Sequence, residues 1–289
     1  MSDLRASLVI PCFNSATTVA NTLAAVNRLQ GRDAIDVIVV DNGSTDGSAA
    51  VARQFEGVTV LHCDARGVGN ARSYGLSRAR AGLLLSLDAD CVPADDWAEL
   101  LLNALESAGS EVIGVGGRTV PRPNPDRWSQ RPEITPHPAF GAAGEPLYVV
   151  AGNACYRAGP VAELGGFPPF GADDAALGVL ARRAGLGFAY APAAIVEHSN
   201  PVGRAGYIRQ MAKIGGYTGQ LDPTGIGRTS WWWARARQAA GAFRRERDLE
   251  ARSVCAVAAI ASAHGAVRAA RARDRPTLDG RPPLTLVDP

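Results

Sequence analysis

Short apolar runs alternate with segments of helical period over the first hundred residues. Residues 6–11 (ASLVIP) have the composition of a buried strand. Residues 17–29 carry Val19, Leu23, Val26 and Leu29 near the 3.6-residue repeat of a helix. The β-branched run 35–41 (IDVIVVD) predicts a second strand, and 46–55 a short helix with Asp46 as its cap. Further strands are expected at 58–63, 82–88 and 112–117, and helices at 69–81 and 94–107. Such alternation predicts βαβ units: an α/β fold with a mostly parallel central sheet flanked by helices.

The texture changes after residue 118. Residues 119–146 are rich in proline and lack periodicity, which predicts a long loop. Strand character resumes at 147–157, followed by a short helix over 159–167 that ends at glycines. A helix over 173–185 holds Asp173 and Asp174 in its first turn and Arg182 and Arg183 near its end, both favourable to the helix dipole. A strand over 187–198 ends at Glu197 and His198. Beyond about residue 220 arginine and alanine dominate. Residues 229–273 read as two helices, and the tail as irregular. The expected division is a main domain over 1–220 and a helical extension with an irregular tail over 221–289.

Composition narrows the function classes. Of 289 residues, 46% are hydrophobic and 20% charged, as in globular proteins. The net charge of +2 gives no pull toward polyanions, so no nucleic-acid partner is expected. Lys213 is the only lysine, and no phosphate-binding G-x-x-x-x-G-K-[ST] loop exists. The five cysteines are odd in number and never spaced C-x-x-C, against a zinc site or disulfide framework and toward a reducing cytoplasm. No secretory leader is visible, and no apolar run is long enough to span a bilayer as a helix.

In parallel sheets, ligands bind beyond the carboxyl ends of the strands. Polar residues gather at these exits: Pro11 to Asn14, Asp41 to Ser44, His62 to Gly69, and Asp88 with Asp90. Strand alternation would aim Asp88 and Asp90 the same way, where both could hold Mg2+ or Mn2+. The other reading is a capped turn. Asp41 ends a hydrophobic strand, where a carboxylate can accept N–H donors from a nucleobase. Arg72 suits phosphate or base, or an ordinary surface arginine.

Four segments, VIPCFN, VDNGSTDGS, GVGNARSYG and LSLDADCVP, resemble in order and spacing the nucleotide-binding half of family 2 glycosyltransferases, which have the GT-A fold. The later GNACYR, LGGF, FGADDAALGVLARRAG and YAPAAIVEH resemble the same family, so the likeness covers roughly residues 6 to 215. The resemblance implies an inverting transfer from a nucleotide-diphospho-sugar, UDP favoured. The acceptor would be a glycan, a lipid-linked sugar or a small metabolite. It divides the main domain into a nucleotide half, 1–118, and an acceptor half, 119–220.

By the same resemblance Pro11, Asn14, Asp41, Asn70, Arg72 and Asp88 meet the nucleotide, with Asp41 on the base and Asp88 on ribose or metal. Asp90 and His198 hold Mn2+ or Mg2+. The general base is Asp174 or Asp173, with Asp174 preferred, where the family usually carries Glu-Asp. Leu180 departs from a common arginine. Residues 206–220 resemble a lid, from which Arg209, Gln210 and Lys213 would reach phosphate. The Q-x-x-R-W pattern of processive synthases is lacking. For 228–275, with Trp231 to Trp233 beside Arg235 and Arg237, three readings stand: packing on the domain, a homodimer, or peripheral contact with the inner face of a membrane. Two rivals remain. One is a non-catalytic scaffold that binds nucleotide or a partner transferase. The other is a sugar-phosphate nucleotidyltransferase, disfavoured because PCFNSAT is not the glycine-rich basic loop of that class.

Overall fold

The computed structural model describes residues 4–169, 171–221, 241, 248–271, 278 and 284. Two compact units are present. The larger runs to residue 120, takes up 137–198, and includes Leu278 and Leu284. The smaller takes 121–136 and the described residues between 199 and 271.

The larger unit is built on β1 (Ala6–Cys12), β2 (Ile35–Asp41), β3 (Val58–His62), β4 (Leu83–Leu87), β5 (Cys91–Pro93), β6 (Val112–Pro121), β9 (Asn153–Arg157) and β10 (Gly187–His198). A separate pair, β7 (Ala139–Phe140) and β8 (Pro146–Tyr148), forms a two-stranded sheet. The main sheet runs in the order β3-β2-β1-β4-β9-β6-β10-β5. The first four strands are parallel, as βαβ alternation requires. Beyond β4 the sheet is mixed: β9 runs antiparallel to both β4 and β6, and β5 antiparallel to β10.

Period-two alternation divides the core between the two faces of this sheet. Leu8, Ile10, Val37 and Val39 face α1 (Val19–Val26) and α4 (Trp97–Glu106), packing on Leu23, Trp97, Leu101 and Leu105. Val9, Ile38 and Val40 face the other way, in a cluster with residues of α3 (Val68–Leu76), α5 (Ala158–Glu163) and α6 (Asp173–Arg183), including Ala71, Leu76, Val161 and Leu177. Ion pairs fasten the end of the sheet where the parallel strands start. Arg80 grips Asp36 at 2.6 and 3.1 Å, and Arg5 meets Glu99 and Glu106 at 2.6 and 2.9 Å.

Three expectations need correction. The short helix α2 (Ser48–Ala52) is capped by Gly47 at φ 87°, not by Asp46; Asp46 instead accepts the N–H groups of Ser48 and Ala16. Residues 119–146 are not one loop: β6 continues to Pro121, a 3-10 turn spans Pro132–Ile134, and β7 and β8 are too short for a period. The expected strand over 147–157 is broken, because the chain turns at 149–152 between β8 and β9.

In the smaller unit, α7 (Gly203–Leu221) packs along α8 (Leu249–Arg271). Trp128, Ile134, Tyr207, Met211, Ala251 and Ala258 form its core. The Arg131 guanidinium lies over both Trp128 and Tyr207, at 4.9 and 5.7 Å from their ring centres. Among the described residues no helix is long and apolar enough to cross a membrane. The Trp231 to Trp233 and Arg235–Arg237 features lie outside the described residues.

Candidate active site

The exits of β1, β2 and β3 are laced together by side chains from their own loops. The buried Asn42 donates to the carbonyls of Cys63 and Ala65 at 2.9 and 2.8 Å and accepts the Gly67 N–H at 2.8 Å. Asn14 adopts a left-handed φ of 49° and accepts the Thr45 N–H at 2.9 Å, while its own N–H donates to Ser44. The buried Asp41 accepts the Ser44 N–H at 3.2 Å and lies 3.3 Å from His62 Nδ1. Pro11 is buried inside β1, which runs one residue further than expected. Phe13, just beyond it, is 53% exposed, with the Arg66 guanidinium 5.0 Å from its ring centre. Asn70 donates to the Arg66 carbonyl at 2.9 Å.

At the next exit the two aspartates part company. The sheet strand β4 stops at Leu87, and the chain turns through Asp88 to Asp90, with the Cys91 N–H donating to the Asp88 carbonyl at 3.1 Å. Strand alternation therefore does not align them, contrary to the expectation. Asp88 pairs with Arg72, and Gly152 packs against its carboxylate so closely that a side chain there would overlap it. Asp90 lies 3.5 Å from His198 Nε2. Cys91 and His198 are register partners on antiparallel β5 and β10, so their side chains share a face. One ligand atom from each of Asp90, Cys91 and His198 lies within 4.8 Å of the others. A carboxylate with an imidazole suits Mn2+ better than Mg2+, which prefers oxygen ligands, so the donor set fits a divalent cation. Burial, and then the Asp90 charge, push the Cys91 thiol well above its usual range, so it stays protonated.

Arg72 is buried and joins two elements. Its Nη1 donates to Asp173 at 2.6 Å and its Nη2 to Asp88. Burial opposes the charge of Arg72, but the two carboxylates outweigh it and raise its pKa. Burial also pushes Asp173 up, and Arg72 works against that rise. Asp174 makes no ion pair among the described residues and accepts only the Ala175 N–H, at 2.7 Å. Burial and the neighbouring Asp173 push it up to about 7.

Residues 7–164 match the Glycosyl transferase family 2 profile. This chain belongs to glycosyl transferase family 2. Among curated relatives, the glycosyltransferase AglE of Haloferax volcanii is 31% identical over 114 residues, covering 37% of this chain and 38% of that one. The UDP-N-acetylglucosamine–dolichyl-phosphate N-acetylglucosaminyltransferase of Methanococcus voltae is 27% identical over 135 residues, covering 39% of this chain and 53% of that one. The matched stretches thus span well under two thirds of these relatives. Among solved structures, a mannosyltransferase of Pyrobaculum calidifontis in complex with GDP-Man and Mn2+ superposes with a TM-score of 0.65 at 20% identity, covering 92% of this chain and 88% of that one. Glucosyl-3-phosphoglycerate synthase of Mycobacterium tuberculosis, with Mn2+ and UDP, gives 0.54 at 21% identity, covering 78% and 81%. The fold is GT-A.

In this family 2 chain, several of the expected site residues are engaged by other side chains of the protein. Arg72, expected to face the nucleotide, has both terminal nitrogens on carboxylates. Arg209 and Lys213 are exposed on α7 of the smaller unit, Lys213 5.6 Å from the Tyr217 ring centre; Gln210 is half-buried there. Asn42, Ser73, Cys91 and Gly152 carried no assigned role. For Asn42 the signal was present: a polar residue next to Asp41 at a strand exit. Cys91 needed the β5–β10 register, which composition does not give.

Proposed function

We propose that this chain is an inverting, metal-assisted glycosyltransferase that moves a sugar from a nucleotide-diphospho-sugar to an acceptor hydroxyl. The observation that carries the reading is the split between the two α6 carboxylates. Asp173 is committed to Arg72, whereas Asp174 makes no ion pair among the described residues and has a pKa pushed up to about 7. A general base works best with a pKa near the operating pH. In the reaction the acceptor oxygen bonds to the sugar C1 as the bond from C1 to the diphosphate oxygen breaks. Asp174 takes the acceptor's proton, and the nucleoside diphosphate leaves with the bonding electrons.

Asp90 and His198 hold Mn2+ or Mg2+, which when bound offsets the charge gathering on the diphosphate. Asp88, fixed by Arg72, serves the ribose side. Asp41, Asn14, Asn70 and the Pro11 exit form the nucleotide wall. A UDP-sugar is the favoured donor: one relative named above uses one by name and one neighbour holds UDP, though another holds GDP-Man. Residues 1–220 act as the transferase domain, and 221–289 as a helical extension. The Arg/Trp composition of 228–275 supports peripheral contact with an anionic membrane surface from the cytoplasmic side.

Release of nucleoside diphosphate from UDP- and GDP-sugars with Mn2+ tests the reading, in wild type, Asp90→Ala and Asp174→Asn. Turnover by wild type that both substitutions lower by at least about 100-fold is expected. Unchanged turnover in either variant refutes its role, and nucleotide binding without turnover of any donor favours a scaffold.

A further inference from the structure

Helix α3 is buried on almost every side, and its small residues explain how. Gly75 lets it lie directly on Val9 and Val40 of the sheet. Residues 69, 72 and 73 lie on one helix face at i, i+3 and i+4. That face carries the segment leading into α6. A side chain at Gly69 would overlap the Pro168 carbonyl oxygen and sit 3.1 Å from the Asp173 Cβ. The Ser73 hydroxyl donates to the Phe167 carbonyl at 3.0 Å and accepts the Phe167 N–H at 2.9 Å. Arg72 then holds Asp173 at 2.6 Å with one nitrogen and Asp88 with the other. Three neighbouring residues thus fix where α6 begins, and Arg72 ties that point to the exit of β4.

Resting on the function proposed above, we infer that Arg72 and Ser73 are positioning residues for catalysis: they place the start of α6, and so Asp174, relative to the donor end of the site. The groups around Asp174 are Asp173 on its own helix, Arg72 on α3, Asp88 after β4 and Tyr156 on β9. Only Arg72 is cationic among these. A planar guanidinium holds two carboxylates in fixed directions, which the single ammonium of lysine does not reproduce. Neither Arg72 nor Ser73 needs to touch donor or acceptor for this role. Their shared effect should therefore pass through Asp174 and appear in the chemical step, and Ser73, whose hydroxyl bonds only Phe167 among the described residues, should leave donor binding unchanged.

The test uses full-length protein, Mn2+ and three probes, UDP-glucose, UDP-N-acetylglucosamine and GDP-mannose, with water or a tolerated alcohol as acceptor. The variants are Arg72→Lys, Ser73→Ala, Asp174→Asn and the doubles Arg72→Lys/Asp174→Asn and Ser73→Ala/Asp174→Asn. Expected is a fall in kcat of about 100-fold for Arg72→Lys and about 10-fold for Ser73→Ala, a range set by how steeply rate depends on misplacement. KM and the affinity for the nucleoside diphosphate with Mn2+ should stay within about threefold of wild type for Ser73→Ala, whereas Arg72→Lys, which also releases Asp88, should raise KM as well as lower kcat. In the Asp174→Asn background neither substitution should lower kcat further, because residues acting as a unit are not additive.

If Arg72→Lys fails to fold, Ser73→Ala decides, since it leaves no buried charge behind. Losses that fall on KM instead, or that add in full to the loss of Asp174→Asn, overturn the positioning role while the proposed function stands. A wild type that turns over no probe overturns the proposed function, and the positioning role with it.

Discussion

At the scale of single residues, two adjacent aspartates have different surroundings: Asp173 pairs with Arg72, and Asp174 makes no ion pair among the described residues. Asp174→Asn should lower donor turnover about 100- to 10,000-fold, measured as nucleoside diphosphate release. Its stability effect has a defined sign. The folded-state pKa is raised from 3.8 to about 7, so the folded protein keeps a proton that the unfolded chain releases. The stabilisation linked to that proton is lost as pH rises through about 7. Asparagine stays neutral throughout, so the Tm of Asp174→Asn relative to wild type should climb between pH 5 and pH 8. Asp173→Asn should behave otherwise. It leaves the buried Arg72 half-paired and should cost about 3 to 5 kcal/mol by denaturant unfolding, as breaking a buried pair does. The residue types were readable in the sequence, but the pairing was not. Asp173 and Arg72 stand 101 residues apart, and no periodic pattern connects a helix start with a residue so distant.

At the scale of elements, the strands easiest to read were continuous apolar or β-branched runs. The bounds of β2 and β10 fell where their composition put them. β7 was missed because two residues cannot establish an alternation, and most of β8 was read as the start of a longer strand. The turn that divides Asp88 from Asp90 was missed for a related reason. A continuing strand and a strand that ends in a turn have the same composition up to Leu87. Among the loops, Asn42 is the joint between the exits of β2 and β3. Asn42→Ala removes two donated bonds and one accepted bond and leaves their buried partners unsatisfied. It should cost about 1 to 3 kcal/mol in chemical denaturation and loosen nucleotide binding with no change at the metal locus.

At the scale of the whole molecule, cation and nucleotide should act as stabilisers of the native state. Mn2+ with UDP should raise the Tm of wild type in a concentration-dependent way, since ligands that bind only the folded form do so. The increment that needs Mn2+ should vanish in Asp90→Ala and His198→Ala, while a residual effect of nucleotide alone remains. Equal increments in wild type and both variants would remove these residues from the metal site. The α/β alternation carried the overall architecture. The division into two units was not legible, because it depends on which distant segments pack together.

That division is interleaved. The chain leaves the larger unit after residue 120, returns at 137, leaves again after 198, and comes back with Leu278 and Leu284. The Leu284 N–H donates to the carbonyl of Ala162 at 2.8 Å, next to Gly166. Synthesis runs from the amino end, so every residue of the smaller unit is made before this last fastening of the larger one exists. Until residue 284 has been made, the carbonyl of Ala162 lacks that partner, so this one bond of the larger unit forms only after the segment that interrupts it has been synthesised.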